Sequence, residues 1–140
     1  MSMTLYVVIA LQDVPNTDVL NISINELSVP VVLESNIEIS EHSGYLPAKL
    51  DGKNSGTETY VSSYSEFIEY LPEHDTPSFE EPVVITFKWG GDFQEASVSM
   101  YLAYVLSKKS DTIVFEPQSE IFLTAEQLLE GANAMKDFSH

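Results

Sequence analysis

Between Pro82 and Ser107 the hydrophobic period of the sequence changes once, and that change restricts the fold more than any other feature. The segment PVVITFKW (82–89) puts Val83, Ile85, Phe87 and Trp89 on one side of an extended chain and Val84, Thr86 and Lys88 on the other, the period-two signature of a strand. After Gly90-Gly91 the period lengthens. Val98, Leu102, Val105 and Leu106 share one side of a helix, and Met100, Ala103 and Tyr104 another. Asp92, with Glu95 three residues later, predicts the helix start in the manner of a capping box. A helix apolar over so much of its circumference has to be largely buried. A sheet with this helix laid across it is therefore the minimum architecture.

The other segments extend that unit. MTLYVVIAL is rich in β-branched and aromatic residues and closes at QDVPN, as a first strand followed by a loop would. In NTDVLNISINELSVPVVLE, Leu20, Ile24 and Leu27 suit a short helix capped by Asn16 or Thr17, although Leu20, Ile22 and Ile24 also fit a period of two. We favour the helix, with Val29 to Glu34 as the second strand. Ser43-Gly44, Asp51-Gly52 and Ser55-Gly56 read as turns, Asp-Gly being a hairpin signal, and TETYVSS alternates as a strand with one exposed face would. SYSEFIEYLPEH predicts a short helix or turn ending at Pro72, and EHDTPSFEEP a polar loop. DTIVFEP predicts a further strand, and Thr124 with Gln127 the cap of a closing helix.

The chain has 140 residues, enough to bury a core without covalent staples, and its 44% hydrophobic content excludes a disordered acidic tail. It contains no cysteine, so no disulfide framework, zinc-thiolate site or thiol nucleophile can form, and a cytoplasmic location is the simplest expectation. The apolar run Leu5 to Leu11 lacks a preceding basic residue and is too short for a membrane span. No membrane partner is expected.

Charge is the most uneven property. Twenty-two acidic residues face six basic ones, all lysine, for a net charge of -16. Without arginine the chain lacks the planar fork that grips phosphate, and its field repels a polyanion, so nucleic acid is excluded as a direct partner. Between Lys53 and Lys88 no basic residue occurs, while Glu58, Glu66, Glu69, Glu73, Asp75, Glu80 and Glu81 fall there, interleaved with Tyr60, Tyr64, Phe67, Tyr70 and Phe79. Carboxylates steer a basic protein and aromatic rings supply contact area. Tyr64, Glu66, Glu69, Tyr70, Glu73, Asp75, Glu80 and Glu81 are accordingly the candidate partner-binding residues. The alternative is a solvated acidic face over a core that uses some of those rings.

Sites of chemistry are weakly indicated. Gly90-Gly91-Asp92 could cradle an anion at a helix N-terminus, but Asp92 and Glu95 already supply negative charge there, and the segment reads better as a turn with its cap. The tripeptide resembles the diguanylate cyclase signature, yet Phe93-Gln94 stands where that signature has an acidic-aromatic pair. His42 and His74 have carboxylate neighbours and His140 is the last residue; their spacing indicates no metal site. No nucleophile elbow, phosphate loop, dinucleotide fingerprint or HExxH sequence is present. No catalytic residue, metal ligand or cofactor is therefore assigned.

WGGDFQEA, a helix carrying alanines, and DTIVFEPQSEIFLTAEQLLE together resemble the C-terminal half of small bacterial cytosolic domains, some of them similar to immunity proteins of polymorphic-toxin systems. The resemblance spans roughly residues 83 to 135, its turn being Glu116-Pro117-Gln118. It implies an inhibitor that covers a toxin, and it implies no catalytic residues. The expectation is one α+β domain over residues 1–140, a mixed or mostly antiparallel sheet of about five strands bearing two or three helices. Its expected function is non-enzymatic binding of a basic protein, as a monomer or homodimer. The alternatives are a small enzyme with a carboxylate in a pocket and a homo-oligomeric structural protein.

Overall fold

The computed structural model describes residues 3–67 and 79–138. Its element order is β1 (Met3–Ala10), α1 (Thr17–Glu26), β2 (Val31–Leu33), β3 (Ser43–Leu50), β4 (Lys53–Ser63), α2 (Tyr64–Phe67), β5 (Pro82–Trp89), α3 (Phe93–Lys109), β6 (Thr112–Glu116), β7 (Ile121–Phe122) and α4 (Ala125–Phe138), with single 3-10 turns at Leu11–Asp13 and Ile39–Glu41. The α+β class holds. The described sheet has seven strands, not about five, in the order β2-β3-β4-β5-β1-β6-β7, and every pairing is antiparallel. Among the described residues four α-helices accompany it, α2 being a single turn.

Two features of the chain account for the two additional strands, β3 and β7. Gly44 and Gly56 lie inside strands rather than in turns, so residues 43–63 form one long hairpin. Its turn is at Asp51-Gly52, where Leu50 pairs with Lys53 and both turn residues have positive φ, 50° and 79°, as a two-residue hairpin requires. Gly56 is demanded by the backbone: its φ is +155° and a Cβ there would lie 2.5 Å from the Leu46 carbonyl oxygen. The second feature is β7, two residues pinned to β6 by Phe122 opposite Phe115, too short to show a period.

The ambiguity after β1 resolves as a helix. Asn16 Oδ1 accepts from Val19 N at 2.8 Å, Leu20 and Ile24 are buried, and Ile22 is 62% exposed, which a strand reading would not allow. On one face of the sheet α1 and α3 pack over Leu5, Val7, Ile9, Leu46, Val83, Ile85 and Phe87, and α4 lies beside α3. Gly131 of α4 faces the Met100 sulfur, at 2.9 Å from an added Cβ, so a larger residue there would make the Met100 side chain shift. The opposite face carries a smaller cluster of Val8, Tyr64, Val84 and Phe115, flanked by Tyr6, Phe67, Phe79 and Ile113. β1 and β5 are thus apolar on both faces, which explains their near-continuous hydrophobic runs.

TETYVSS lies within β4, a strand as expected, but one whose threonines face inward. Thr57 and Thr59 are fully buried, and Thr57 pairs with Ser99 of α3 at 2.8 Å. The hydroxyl-bearing side is the inner one because α3 brings a matching hydroxyl. Open backbone at two sheet margins is met by side-chain amides. Asn21 accepts from Leu33 N at 2.8 Å and donates to Leu33 O at 3.0 Å, as a neighbouring strand would, and so blocks part of the β2 edge. Gln118, its amide nitrogen toward Thr4 O, bridges Thr4 in the same manner at 3.2 and 3.3 Å.

Candidate functional site

The predicted docking residues divide by position. Glu69, Tyr70, Glu73 and Asp75 lie outside the described residues. Glu66 in α2, and Glu80 and Glu81 just before β5, are exposed, in the segments that supply Tyr64, Phe67 and Phe79 to the smaller cluster. Glu81 takes φ 44° and its carbonyl accepts from Leu11 N at 3.1 Å, which fixes the chain where it enters β5. Tyr64 is only 8% exposed, and Phe67 and Phe79 pack against its cluster. Tyr64, Phe67 and Phe79 thus serve the smaller core, while Tyr60 stays half-buried with its hydroxyl on Glu58.

A second carboxylate group, which sequence reasoning did not assemble, surrounds the start of α3. Asp92 caps the helix, its Oδ1 accepting from Gln94 N at 2.8 Å and Glu95 N at 3.3 Å, as its spacing from Glu95 predicts. The Tyr45 hydroxyl of β3 lies near Glu95 and favours its ionised form. Burial first, then the negative charges of Asp92 and Glu58, push the Glu95 carboxyl above its ordinary range, and Tyr45 only partly offsets them. Tyr45 is raised in turn by burial and by Glu95 and Asp92. Glu58 accepts from the Tyr60 hydroxyl at 2.8 Å, and that bond is the main cause of an upward shift at Tyr60. Glu58 stands opposite Lys88 in the β4-β5 register, whereas Asp92 and Glu95 form no ion pair with a described lysine, so their charges oppose each other at the start of α3.

Beside it opens a cavity of about 200 Å³ lined by Met3, Trp89, Gly90, Gly91, Asp92, Phe93, Ala96, Met100 and Met135. Phe93 and Phe138 stand at 48% and 71% exposure with ring centroids 5.7 Å apart. Neither Gly90 nor Gly91 has a positive φ, and a Cβ on either would meet nothing within 4 Å. The turn geometry therefore does not require glycine. What two glycines provide is an open wall.

Among the described residues no group of three His, Asp or Glu side chains is placed to hold a metal, and no helix is long and apolar enough to cross a membrane. His42 Nε2 lies 2.9 Å from Tyr45 O; His74 and His140 fall outside the described residues. Compared with known proteins, the chain matches no family model, no curated protein and no solved structure.

Proposed function

We propose that the protein is an acidic binding protein that docks on a basic protein partner, in the manner of the immunity-type inhibitor implied by the resemblance over residues 83–135. One observation carries the reading. If every lysine paired with a carboxylate, sixteen acids would remain, 22 less 6. Among the described residues Lys109 pairs with Glu26 at 3.2 Å and Lys136 with Asp51 at 3.5 Å, and both pairs are well away from Glu66, Glu80 and Glu81 in sequence. A surface so uncompensated raises the encounter rate with a cationic partner and resists self-association. Occlusion of the partner's basic site would follow from docking, with no chemistry needed.

Affinity capture from the source cells at low and high salt, read by mass spectrometry, tests this. The expected result is a stoichiometric partner of basic composition, released by salt. A stoichiometric partner that is acidic, or one whose capture is indifferent to salt, would contradict it. The raised Glu95 carboxyl beside a cavity favours one second reading, an enzyme using Glu95 as a proton donor. That reading requires a small substrate whose turnover is lost in Glu95→Gln.

A further inference from the structure

The apolar cavity and the carboxylates at the start of α3 are adjacent, and Asp92 belongs to both. We propose that this cavity is an anchor pocket for one large apolar side chain of the partner, with Lys or Arg residues flanking that anchor set against Asp92 and Glu95. This rests on the basic-partner reading above and names the part of the partner that is recognised. Size selects the occupant. At about 200 Å³ the cavity falls below the roughly 300–1,000 Å³ of small-molecule and cofactor sites, whereas about 150 Å³ already accommodates a benzene ring. One phenylalanine, leucine or methionine side chain fits.

Composition agrees with a recognition surface. Three of the four methionines of the chain, Met3, Met100 and Met135, come together here from β1, α3 and α4, and methionine surfaces adapt to the side chain they receive. The Gly90-Gly91 wall is open without any conformational need for glycine. Phe93 and Phe138 extend the apolar area at the rim. The charge decides the sign of the neighbours: an apolar anchor flanked by acids would be repelled and one flanked by neutral residues would leave the carboxylates unanswered, so a cationic segment is the complement.

Trp89, the single tryptophan, lines the cavity, so its fluorescence reports occupancy directly. The probes are capped synthetic peptides: Phe flanked by lysines, Gly flanked by lysines, and Phe flanked by glutamines. At low salt the Lys-Phe-Lys peptide should give a saturable Trp89 signal and bind about tenfold or more tightly than either counterpart. Asp92→Asn with Glu95→Gln keeps the helix cap, since Asn caps as well as Asp, yet should weaken binding about tenfold and flatten its salt dependence. Ala96→Leu, which fills the cavity, should abolish the Trp89 response while thermal melting confirms the fold; if that variant fails to fold, the charge variant and the peptide series decide. Equal binding of the Gly and Phe lysine peptides would overturn the pocket and leave the basic-partner reading standing. Equal binding of the glutamine peptide would overturn the cationic half of the proposal. Binding of none of them at low salt would overturn the pocket, and the basic-partner reading would then be judged by the capture experiment alone.

Discussion

Thr57 on β4 and Ser99 on α3 meet at 2.8 Å with both side chains fully buried. The Ser99 hydroxyl also reaches Glu95 O at 2.9 Å, and the Thr57 hydroxyl Lys88 O at 3.2 Å. Two protons are thus shared among hydroxyl and carbonyl acceptors between two fully buried side chains, and the second turn of α3 is fastened to the sheet beneath it. Thr57→Val removes one hydroxyl at nearly constant volume and leaves Ser99 only its bond to Glu95 O; Ser99→Ala leaves Thr57 only its bond to Lys88 O. Each should cost about 0.5 to 1.5 kcal/mol, the net worth of one hydrogen bond. The double variant should cost less than the sum by about 0.5 kcal/mol or more, since the bond the two hydroxyls share can be lost only once. Urea unfolding of the four proteins closes the cycle. Costs that add to within about 0.5 kcal/mol would refute the argument that these hydroxyls act as a pair.

Three further outcomes follow from the same structure. Glu95 has its carboxyl raised in the folded state by burial and by Asp92 and Glu58, so the unfolded chain ionises first as pH rises past 4.5 and the folded state loses stability until Glu95 ionises there too. Glu95→Gln should therefore gain on the parent between acid pH and neutrality, and a stability difference independent of pH would be evidence against it. Tyr101, buried and hydrogen-bonded to Asn133, has its hydroxyl pushed up to about 12 by burial and by Asp51 and Asp137. Its folded-state proton is held above the ordinary value of 10.0, so stability should fall as pH rises from 10.0 toward about 12, and Tyr101→Phe should show a shallower alkaline decline for a neutral-pH cost of about 1 kcal/mol; parallel alkaline curves would count against this. Asn21→Ala should cost about 1 to 2 kcal/mol and promote association through the uncovered β2 edge, where Val32 is 60% exposed. Sedimentation that stays unchanged at high salt would show that the edge is protected by something other than Asn21.

Local signals in the sequence were sufficient wherever one residue type had one physical job. Asp92 and the Thr124-Gln127 pair cap helices as their spacing predicts, the latter reciprocally at 2.9 and 3.2 Å. Asp51-Gly52 makes its hairpin for the same reason. Legibility failed where the job was set by a distant partner. The inward face of β4 carries threonine because Ser99, 42 positions away, answers it, and no window along the chain contains that fact. Tyr64, Phe67 and Phe79 look like free aromatic anchors until a second, smaller core on the opposite face of the sheet claims them. The cavity was invisible for the same cause: Met3, Trp89, Met100 and Met135 are drawn from four elements, and only the Gly-Gly pair gave a local hint, which pointed to a turn.

The central claim, that exposed carboxylates steer the protein onto a basic partner, is tested most directly by stopped-flow association with the captured partner across ionic strength. The parent is compared with Glu66→Gln/Glu80→Gln/Glu81→Gln, all at exposed positions. The parent rate should fall steeply with salt, and the variant should associate more slowly at low salt and converge with the parent at high salt. Equal rates for parent and variant at low salt would contradict the account.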